Sequence, residues 1–168
     1  TNFLLILPNL EARIPDDRRV LLRELNETAW SLLAAFQAQE AAGEISRAEA
    51  QARAIDTLRA LRYGSESKDY FWINDLQPIL IMHPYRPDLE GRDVSDFTDP
   101  NGKHLFVEVV ETVRQSAAGF LDYQWQWKDE PQRIVSKISH VKEFAPWGWV
   151  VGTGLYVEDV RAEIAAIT

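Results

Sequence analysis

Cysteine is absent from the sequence, and basic side chains are in the minority. The lack of cysteine excludes thiolate catalysis, cysteine-ligated zinc, iron–sulfur clusters and thioether-bound haem, although it fits the cytosol and the oxidising periplasm equally well. Eighteen Lys and Arg residues against 26 Asp and Glu residues give a net charge of −8. Because this charge repels phosphate backbones and anionic lipid, we expect neither nucleic-acid binding nor peripheral membrane binding.

Long hydrophobic runs are also missing. The longest apolar run near the start covers residues 3–7, whereas a bilayer-spanning helix needs roughly 20 apolar residues. The chain begins at Thr1 without a basic segment or a cleavage site, so we expect a fragment of a longer protein. Its 168 residues and 46% hydrophobic content are those of one compact domain over residues 1–168.

Helical patterns dominate the first part of the chain. Residues at spacings of three and four share one predicted helix face, namely Leu21, Leu25, Thr28, Leu32 and Phe36. This periodicity predicts a long amphipathic helix over about residues 10–42, which ends at Gly43. Ser46 lies three residues before Glu49 in a capping-box pattern, so a second helix is expected from there to about Tyr63.

Strand patterns follow. Residues 69–74 and 79–83 flank a polar segment and predict a hairpin, while the Pro- and Gly-rich residues 84–102 predict a loop. A short helix from Phe106 to near Gly119 comes next. Three strands are then expected at about 120–127, 133–142 and 147–155, with turns at 128–131 and 145–146, and short turns of this kind make an antiparallel sheet.

Helices followed by strands predict an α+β fold. Val157, Val160, Ile164 and Ile167 predict that the chain ends as an amphipathic helix. The expected parts are a helical part over about 10–63, a sheet part over about 69–155 and an exit helix over about 156–168.

Signatures of catalysis and metal binding are lacking. The three histidines have no helical i,i+4 spacing, and the acidic run 93–99 lacks the glycine and the terminal glutamate of a calcium loop. There is also no phosphate-binding glycine loop and no nucleophile elbow. We therefore expect no catalytic residue, no metal site and no cofactor, and we assign the loop acids to turns and caps.

Strand alternation groups bulky aromatic residues with polar ones. Four groups share a predicted face each: Tyr70, Trp72 and Asn74; Ile79, Ile81 and His83; Tyr123, Trp125 and Trp127; Val135, Lys137 and Ser139. Lys137 either extends to solvent or faces a partner. If it faces the aromatic cluster, a small carboxylate is a natural partner, because it accepts from the ammonium, from His83 and from tyrosine hydroxyls. The pattern leaves ordinary aromatic packing open as well.

Several ordered motifs resemble a known family. They are Asp69-Tyr70-Phe71-Trp72-Ile73-Asn74-Asp75, Met82-His83-Pro84, Gly91-Arg92-Asp93, Asp99-Pro100-Asn101-Gly102-Lys103, Gly119-Phe120, Tyr123-x-Trp125, Lys137-Ile138-Ser139, Val141-Lys142 and Pro146-Trp147-Gly148-Trp149-Val150-Val151-Gly152-Thr153-Gly154. Over about residues 69–160 the sequence closely resembles the second type of single Cache domain, an extracytoplasmic sensor of bacterial chemotaxis receptors, histidine kinases and diguanylate cyclases. His140, where the family more often has tyrosine, and residues 127–130, usually richer in proline, depart from the pattern and bear on the ligand.

The resemblance implies a PAS-like antiparallel sheet with a long N-terminal helix packed on it and helical termini. It implies a periplasmic part of an inner-membrane receptor, whose flanking transmembrane helices and cytoplasmic output domain lie outside this chain. The implied ligand is a small organic acid such as acetate, propionate, pyruvate or lactate. Carried over by position, the expected ligand contacts are Tyr70, Trp72, His83, Tyr85, Tyr123, Trp125 and Lys137. Binding is expected to close the loop 84–102 and to shift the terminal helix.

Two alternative functions and the packing partner of the first helix stay open at this point. A PAS-like protein-interaction module without a small ligand would leave Lys137 and His83 exposed and the aromatic residues fully packed. An enzyme acting on small carboxylic acids would use His83 as general acid–base and Lys137 as the substrate anchor, but no second positioned group is visible. The long first helix fits a parallel homodimer and burial on the protein's own sheet equally well.

Overall fold

The structure is a computed structural model and describes residues 14–167. In chain order, its elements are α1 (Asp16–Ala41), α2 (Arg47–Ala60), β1 (Phe71–Asp75), β2 (Leu80–Met82), α3 (Leu105–Ser116), β3 (Ala118–Trp127), β4 (Glu130–Phe144), β5 (Trp149–Tyr156) and α4 (Val157–Ile167). Two short 3-10 turns occupy Pro87–Leu89 and Ala145–Trp147. Among the described helices, none has an apolar stretch that could span a membrane.

The five strands form one antiparallel sheet in the order β2-β1-β5-β4-β3. Helices α1 and α2 pack on one face, where they bury Leu33 and Leu58 against Ile73 of β1. Helix α3 and the long loop before it cover the other face, with Phe106 against Trp72. The predicted α+β fold, an antiparallel sheet with a long N-terminal helix packed on it, is therefore confirmed.

The buried face of α1 differs from the predicted one. Its buried residues are Leu22, Asn26, Ala29 and Leu33. Each of them directly follows a residue of the predicted face in the sequence. Leu21 is 44% exposed, and Leu25, Leu32 and Phe36 only flank the contact. The prediction was wrong here because a polar and a small residue occupy the centre. The Asn26 amide donates to the carbonyls of His140 and Val151, so it replaces an apolar contact with buried hydrogen bonds.

The apolar side of α1 is thus covered by the chain's own sheet, and a homodimer stays a prediction. Val20 and Leu21 remain exposed, but isolated exposed apolar residues are ordinary on protein surfaces. In α4 the predicted stripe is only half buried. Val157 and Val160 pack on α1 and β4, whereas Ile164 and Ile167 are exposed.

Two helix ends also need correction. Ser46 caps α2 as predicted, since its side chain accepts from Glu49 N at 3.1 Å. However, α2 ends at Ala60 rather than Tyr63, because Tyr63 pairs with Asp69 in an isolated β-bridge. Helix α3 ends before Gly119, which already pairs with Val141 in the sheet.

The turns of the sheet differ in length from the predicted ones, since the β3–β4 turn is shorter and the β4–β5 turn is longer. Only Lys128 and Asp129 connect β3 to β4, so β4 starts at Glu130, earlier than predicted. Lys128 adopts a positive φ of 46°, a conformation that suits a two-residue connection. At the other end, Trp147 belongs to a 3-10 turn, and β5 starts at Trp149. Predicted helix residues 10–13 and residue 168 lie outside the described residues.

Acidic side chains shape the loop between β2 and α3, as expected. One oxygen of Asp99 accepts from the backbone N–H groups of Asn101 and Lys103, and the other accepts from Gln124 N in β3. Asp93 accepts from Ser95 in the same way. These hydrogen bonds fix the loop over the face of the sheet that carries the candidate site.

Candidate functional site

A small cavity lies between the sheet and α3. Its volume is about 10 Å³, close to the room that one water molecule needs. The lining residues are Tyr70, Trp72, His83, Leu105, Phe106, Tyr123 and Trp125. We call this space the inner cavity. Five of the seven predicted ligand contacts line it, and a sixth, Lys137, donates to Tyr70 at its wall.

Lys137 is the most unusual residue of this site, since only 1% of its surface is exposed. Its Nζ donates to the Tyr70 hydroxyl at 2.8 Å and lies 4.4 Å from the centroid of that ring. The rings of Tyr156 and Trp72 follow at 5.1 Å and 5.3 Å. Rings of this kind attract a cation without neutralising it.

A counter-ion for Lys137 is missing within residues 14–167. No carboxylate of the described residues lies within ion-pair distance of its Nζ, and the acid whose charge acts on it, Asp69, pairs with Lys128 at 3.8 Å. Burial therefore lowers the pKa of Lys137 to about 7, and the charge of Asp69 only partly opposes this change. Lys137 is thus a buried amine that contacts the wall of the inner cavity through Tyr70 and has no ion-pair partner among the described residues.

His83 is buried and neutral. Its Nδ1 accepts from Tyr85 N at 3.1 Å, which assigns the ring proton to Nε2. Burial, and then the positive charge of Lys137, hold the pKa of His83 well below its usual value. Its backbone N–H donates to Glu90 at 2.8 Å, and Glu90 also pairs with Arg59 of α2. These contacts position a hydrogen-bond donor at the end of β2.

The two tryptophans of the inner cavity differ in their hydrogen bonds. Trp72 Nε1 donates to Asn74 at 2.9 Å. Trp125 is 4% exposed, and its buried Nε1–H makes no hydrogen bond of good geometry among the described residues, although it is near enough to the Tyr70 hydroxyl to lower the pKa of that phenol slightly. A buried N–H without a partner loses about 1–3 kcal/mol of hydrogen bonding. Trp125 therefore offers an unused donor in the wall of the cavity.

The tyrosine hydroxyls complete the polar wall. Tyr123 hydrogen-bonds to Ser139 at 2.8 Å, and Tyr70 accepts from Lys137. Burial raises the pKa of both phenols, so both keep their protons at neutral pH. The polar groups around the inner cavity are thus mostly hydrogen-bond donors.

Tyr85 is the remaining predicted contact, and it lines a different space. It packs edge-on against Tyr70 at 5.0 Å, and its hydroxyl donates to Lys68 O. Instead it lines a larger cleft of about 650 Å³ on the outside of the site, together with Arg86, Phe97 and Ile134. We call this space the outer cleft. Trp125 lines both spaces and separates them.

Several site residues were not predicted. Leu105 and Phe106 close the cavity from α3, and Ser139 holds the Tyr123 hydroxyl. The helix itself was predicted, and its apolar face could have been assigned to the aromatic face of the sheet. Other groupings were wrong. Trp127 follows a register shift in β3 and donates to Asp159 of α4 instead.

His83 and His140 also differ from the simple strand pattern. Ile81 packs with the helical layer, whereas His83 stacks with Tyr70 at 4.7 Å because β2 ends at Met82. His140 faces α1, where Asn26 contacts its Nδ1 at 2.8 Å. This departure from the family pattern therefore lies away from the inner cavity. Within residues 14–167, no group of acids and histidines is arranged to hold a metal ion.

A cluster of ion pairs around the buried Lys128 joins the edge of the site to α4. Lys128 is 4% exposed, and its Nζ lies 3.1 Å from Asp159 of α4 and 3.8 Å from Asp69. Glu66 is the third acid of this cluster, at 3.7 Å. Asp69 directly precedes Tyr70 of the inner cavity. We call these four residues the Lys128 cluster.

The comparison with known families identifies the chain. The sequence model of the family described as single Cache domain 2 matches residues 14–168. The chain belongs to this family. This match confirms the family that the ordered motifs predicted.

Two relatives show where such domains occur. Over 162 residues, this Cache domain is 43% identical to the methyl-accepting chemotaxis protein McpP of Pseudomonas putida, covering 96% of this chain and 29% of that protein. Over 142 residues, it is 35% identical to the sensor histidine kinase MctS of Rhizobium johnstonii, covering 84% of this chain and 30% of that protein. The chain thus spans less than a third of the length of these curated relatives.

Two solved structures are similar throughout. A periplasmic sensor domain of a chemotaxis protein is 48% identical, with a TM-score of 0.82, and the match covers 86% of this chain and 99% of that chain. A Cache chemosensory domain studied for carboxylic acid recognition is 40% identical, with a TM-score of 0.80 and the same coverage of both chains.

Proposed function

We propose that this Cache domain is the periplasmic sensor of a transmembrane chemotaxis receptor and that it binds a short organic acid in the inner cavity. The relatives support the receptor context, since one is a chemotaxis protein and another a sensor kinase. A similar solved domain recognises carboxylic acids. In this proposal, membrane-spanning segments and a cytoplasmic output domain belong to the longer protein.

The observation that carries the proposal is an excess of hydrogen-bond donors beside a buried lysine that pairs with no carboxylate among the described residues. Lys137 has no ion-pair partner within the described residues, Trp125 Nε1 has no hydrogen bond of good geometry there, and His83 carries its proton on Nε2. A carboxylate supplies two acceptor oxygens and one negative charge. It would satisfy these donors and neutralise Lys137, and hydrogen bonds to charged groups are the stronger kind.

The apolar part of the wall limits the rest of the ligand. Trp72, Leu105 and Phe106 leave about 10 Å³, so an acid of two or three carbons requires the lining rings to move apart. Trp125 is suited to this movement because the outer cleft lies on its other side. We expect the acid to enter there, and we expect long or doubly charged acids to bind poorly, because the inner cavity presents a single cation.

The Lys128 cluster offers a route from the cavity to the terminal helix. β5 continues directly into α4, and Lys128 ties Asp159 of α4 to Asp69 beside Tyr70. In the proposed mechanism, movement of Tyr70 on binding alters these ion pairs and shifts α4. Displacements of about 1–2 Å are common at such packed helices. Cysteines introduced on the exposed side of α4 should crosslink at different rates with and without ligand, and equal rates would contradict the mechanism.

The competing functions fit the site less well. An interaction module predicts exposed Lys137 and His83, but the exposed fractions are 1% and 2%. Enzymatic acid–base chemistry at His83 is disfavoured because Nδ1 accepts from a backbone N–H and Nε2 already carries the proton. The packed aromatic residues agree with either a closed sensor or a module, so ligand binding has to be measured.

A thermal-shift screen of the chain against acetate, propionate, pyruvate, lactate and matched dicarboxylates tests the proposal. A ligand that binds the folded state raises the melting temperature. At a free ligand concentration of a hundred times Kd, the free energy of unfolding increases by about 2.7 kcal/mol. We expect a rise with at least one monocarboxylate. The rise should vanish in Lys137→Met and persist in Lys142→Met, whose lysine pairs with Glu27 outside the cavity. No rise with any acid in the folded wild type would overturn the proposal.

A further inference from the structure

The surroundings of Lys137 contain few groups that can change charge. Tyr123 of β3 and Tyr156 of β5 face it from the two neighbouring strands, Tyr70 faces it from the position before β1, and His83 faces the cavity from the end of β2. Its Cε also lies against β5, where a Cβ on Gly154 would stand 2.6 Å away. Asp69 is the acid whose charge reaches Lys137.

An ammonium in such a place is stable only when its charge is compensated. Removing a charge from water favours the neutral form of the group, whereas a neighbouring opposite charge favours the charged form. Burial lowers the pKa of Lys137 to about 7, so a substantial fraction of the side chain is a neutral amine at neutral pH. A bound carboxylate would supply the missing charge and raise the pKa by about 1–3.

We propose, on the basis of the function proposed above, that carboxylate binding in the inner cavity is coupled to the uptake of a proton by Lys137. The protonated form of the lysine is the form that binds, and the neutral form must first gain a proton. The affinity of the Cache domain for its acid therefore falls as the pH rises above neutral. A receptor with this property reports the acid more strongly in acidified surroundings.

Other groups near Lys137 do not titrate in the same range. Burial holds the pKa of His83 well below its usual value, so the imidazole stays neutral. Burial raises the pKa of Tyr70, Tyr123 and Tyr156. Burial also raises the pKa of Asp69, to about 6. Between about pH 7 and about pH 8.5, carboxylic acids remain ionised, and Lys137 is the group beside the cavity that changes charge.

The size of the effect follows from linkage. With a pKa of about 7 in the free domain and about 9 in the complex, the affinity falls about tenfold between about pH 7 and about pH 8.5. At about pH 7 the complex takes up about half a proton, because about half of the lysines already carry one. Proton uptake increases toward the upper end of this range.

Isothermal titration calorimetry tests this coupling on the wild-type chain. The titrant is whichever of acetate, propionate, pyruvate and lactate binds most tightly. Titrations at about pH 7 and about pH 8.5, each in two buffers of different ionisation enthalpy, give the affinity and the number of protons exchanged. We expect proton uptake at both pH values and about tenfold weaker binding at the higher pH.

Lys137→Arg is the matched variant, because a guanidinium stays protonated over this range. Any affinity that it retains should be independent of pH, and Asp69→Asn should keep the pH dependence. Tight binding by the wild type with no proton uptake and a constant affinity would overturn the coupling but leave the sensor function intact. No binding of any of the four acids would overturn both.

Discussion

The replacement of Lys137 by Met should stabilise the chain in the absence of acid. The wild-type side chain is 1% exposed and lacks an ion-pair partner within residues 14–167. The difference between its ordinary pKa of 10.5 and about 7 corresponds to about 4 kcal/mol at neutral pH. Met fills a similar volume without a charge, so this penalty disappears.

Part of that gain is offset. Lys137→Met removes the 2.8 Å hydrogen bond to Tyr70, and an unpaired buried hydroxyl loses about 1–2 kcal/mol. We therefore expect Lys137→Met to be more stable than the wild type by about 2 kcal/mol near pH 7. For a domain of this size, that difference raises Tm by about 4–8 °C.

The pH dependence of this effect has a defined sign. The unfolded lysine keeps its proton up to about its ordinary pKa of 10.5, whereas the folded one loses it above about 7. Because the unfolded state binds more protons in this window, wild-type stability should rise between about pH 7 and about pH 9. Lys137→Met should lack this rise.

Urea denaturation of both chains at about pH 7 and about pH 9 measures these quantities. Lys142→Met is the control on the same strand. It removes a partly exposed ion pair with Glu27, so it should lose at most about 1 kcal/mol. A Lys137→Met chain that is less stable than the wild type at about pH 7 would refute the reasoning, because the lysine would then be compensated.

Two further substitutions probe the cavity wall. Trp125→Phe keeps an aromatic ring but removes the buried indole N–H. It should weaken acid binding about tenfold in calorimetry, while the free energy of unfolding in urea stays equal or rises. Unchanged affinity would exclude the indole as a donor to the acid. Gly154→Ala places a Cβ against Ser139 Oγ, 2.6 Å from Lys137 Cε and 2.7 Å from Ile138 O. It should destabilise the chain by about 1–3 kcal/mol in urea, and unchanged stability would contradict the close packing of β4 on β5 at this position.

The element order could be predicted from the sequence, but the buried face of α1 could not. Apolar periodicity predicted that helix correctly, yet Asn26 and Ala29 occupy the centre of its contact. Asn26 can be buried because its amide N–H groups donate to the carbonyls of His140 on β4 and Val151 on β5. A pattern that scores only hydrophobicity has no means of identifying a polar residue whose partners lie more than a hundred positions away in the chain.

Only part of the site could be predicted from the sequence, because the pattern shows contacts within regular strands and not the irregular ones. Tyr123 and Lys137 are directly opposite each other in the sheet, so strand alternation was enough to bring them together. Trp127 leaves the group because of a register shift, and His83 joins it because β2 is only three residues long. Neither irregularity has a signal in the local sequence. Phe106 enters from α3, and its place depends on how the helix crosses the sheet.

A crystal structure of the chain grown with saturating acid tests the central claim most directly. For the acid that gives the largest thermal shift, we predict a carboxylate in the inner cavity within about 3 Å of Lys137 Nζ and Trp125 Nε1. The rings of Trp72 and Phe106 should contact its apolar end. An acid bound only in the outer cleft, with the aromatic side chains still closed around Lys137, would contradict the account.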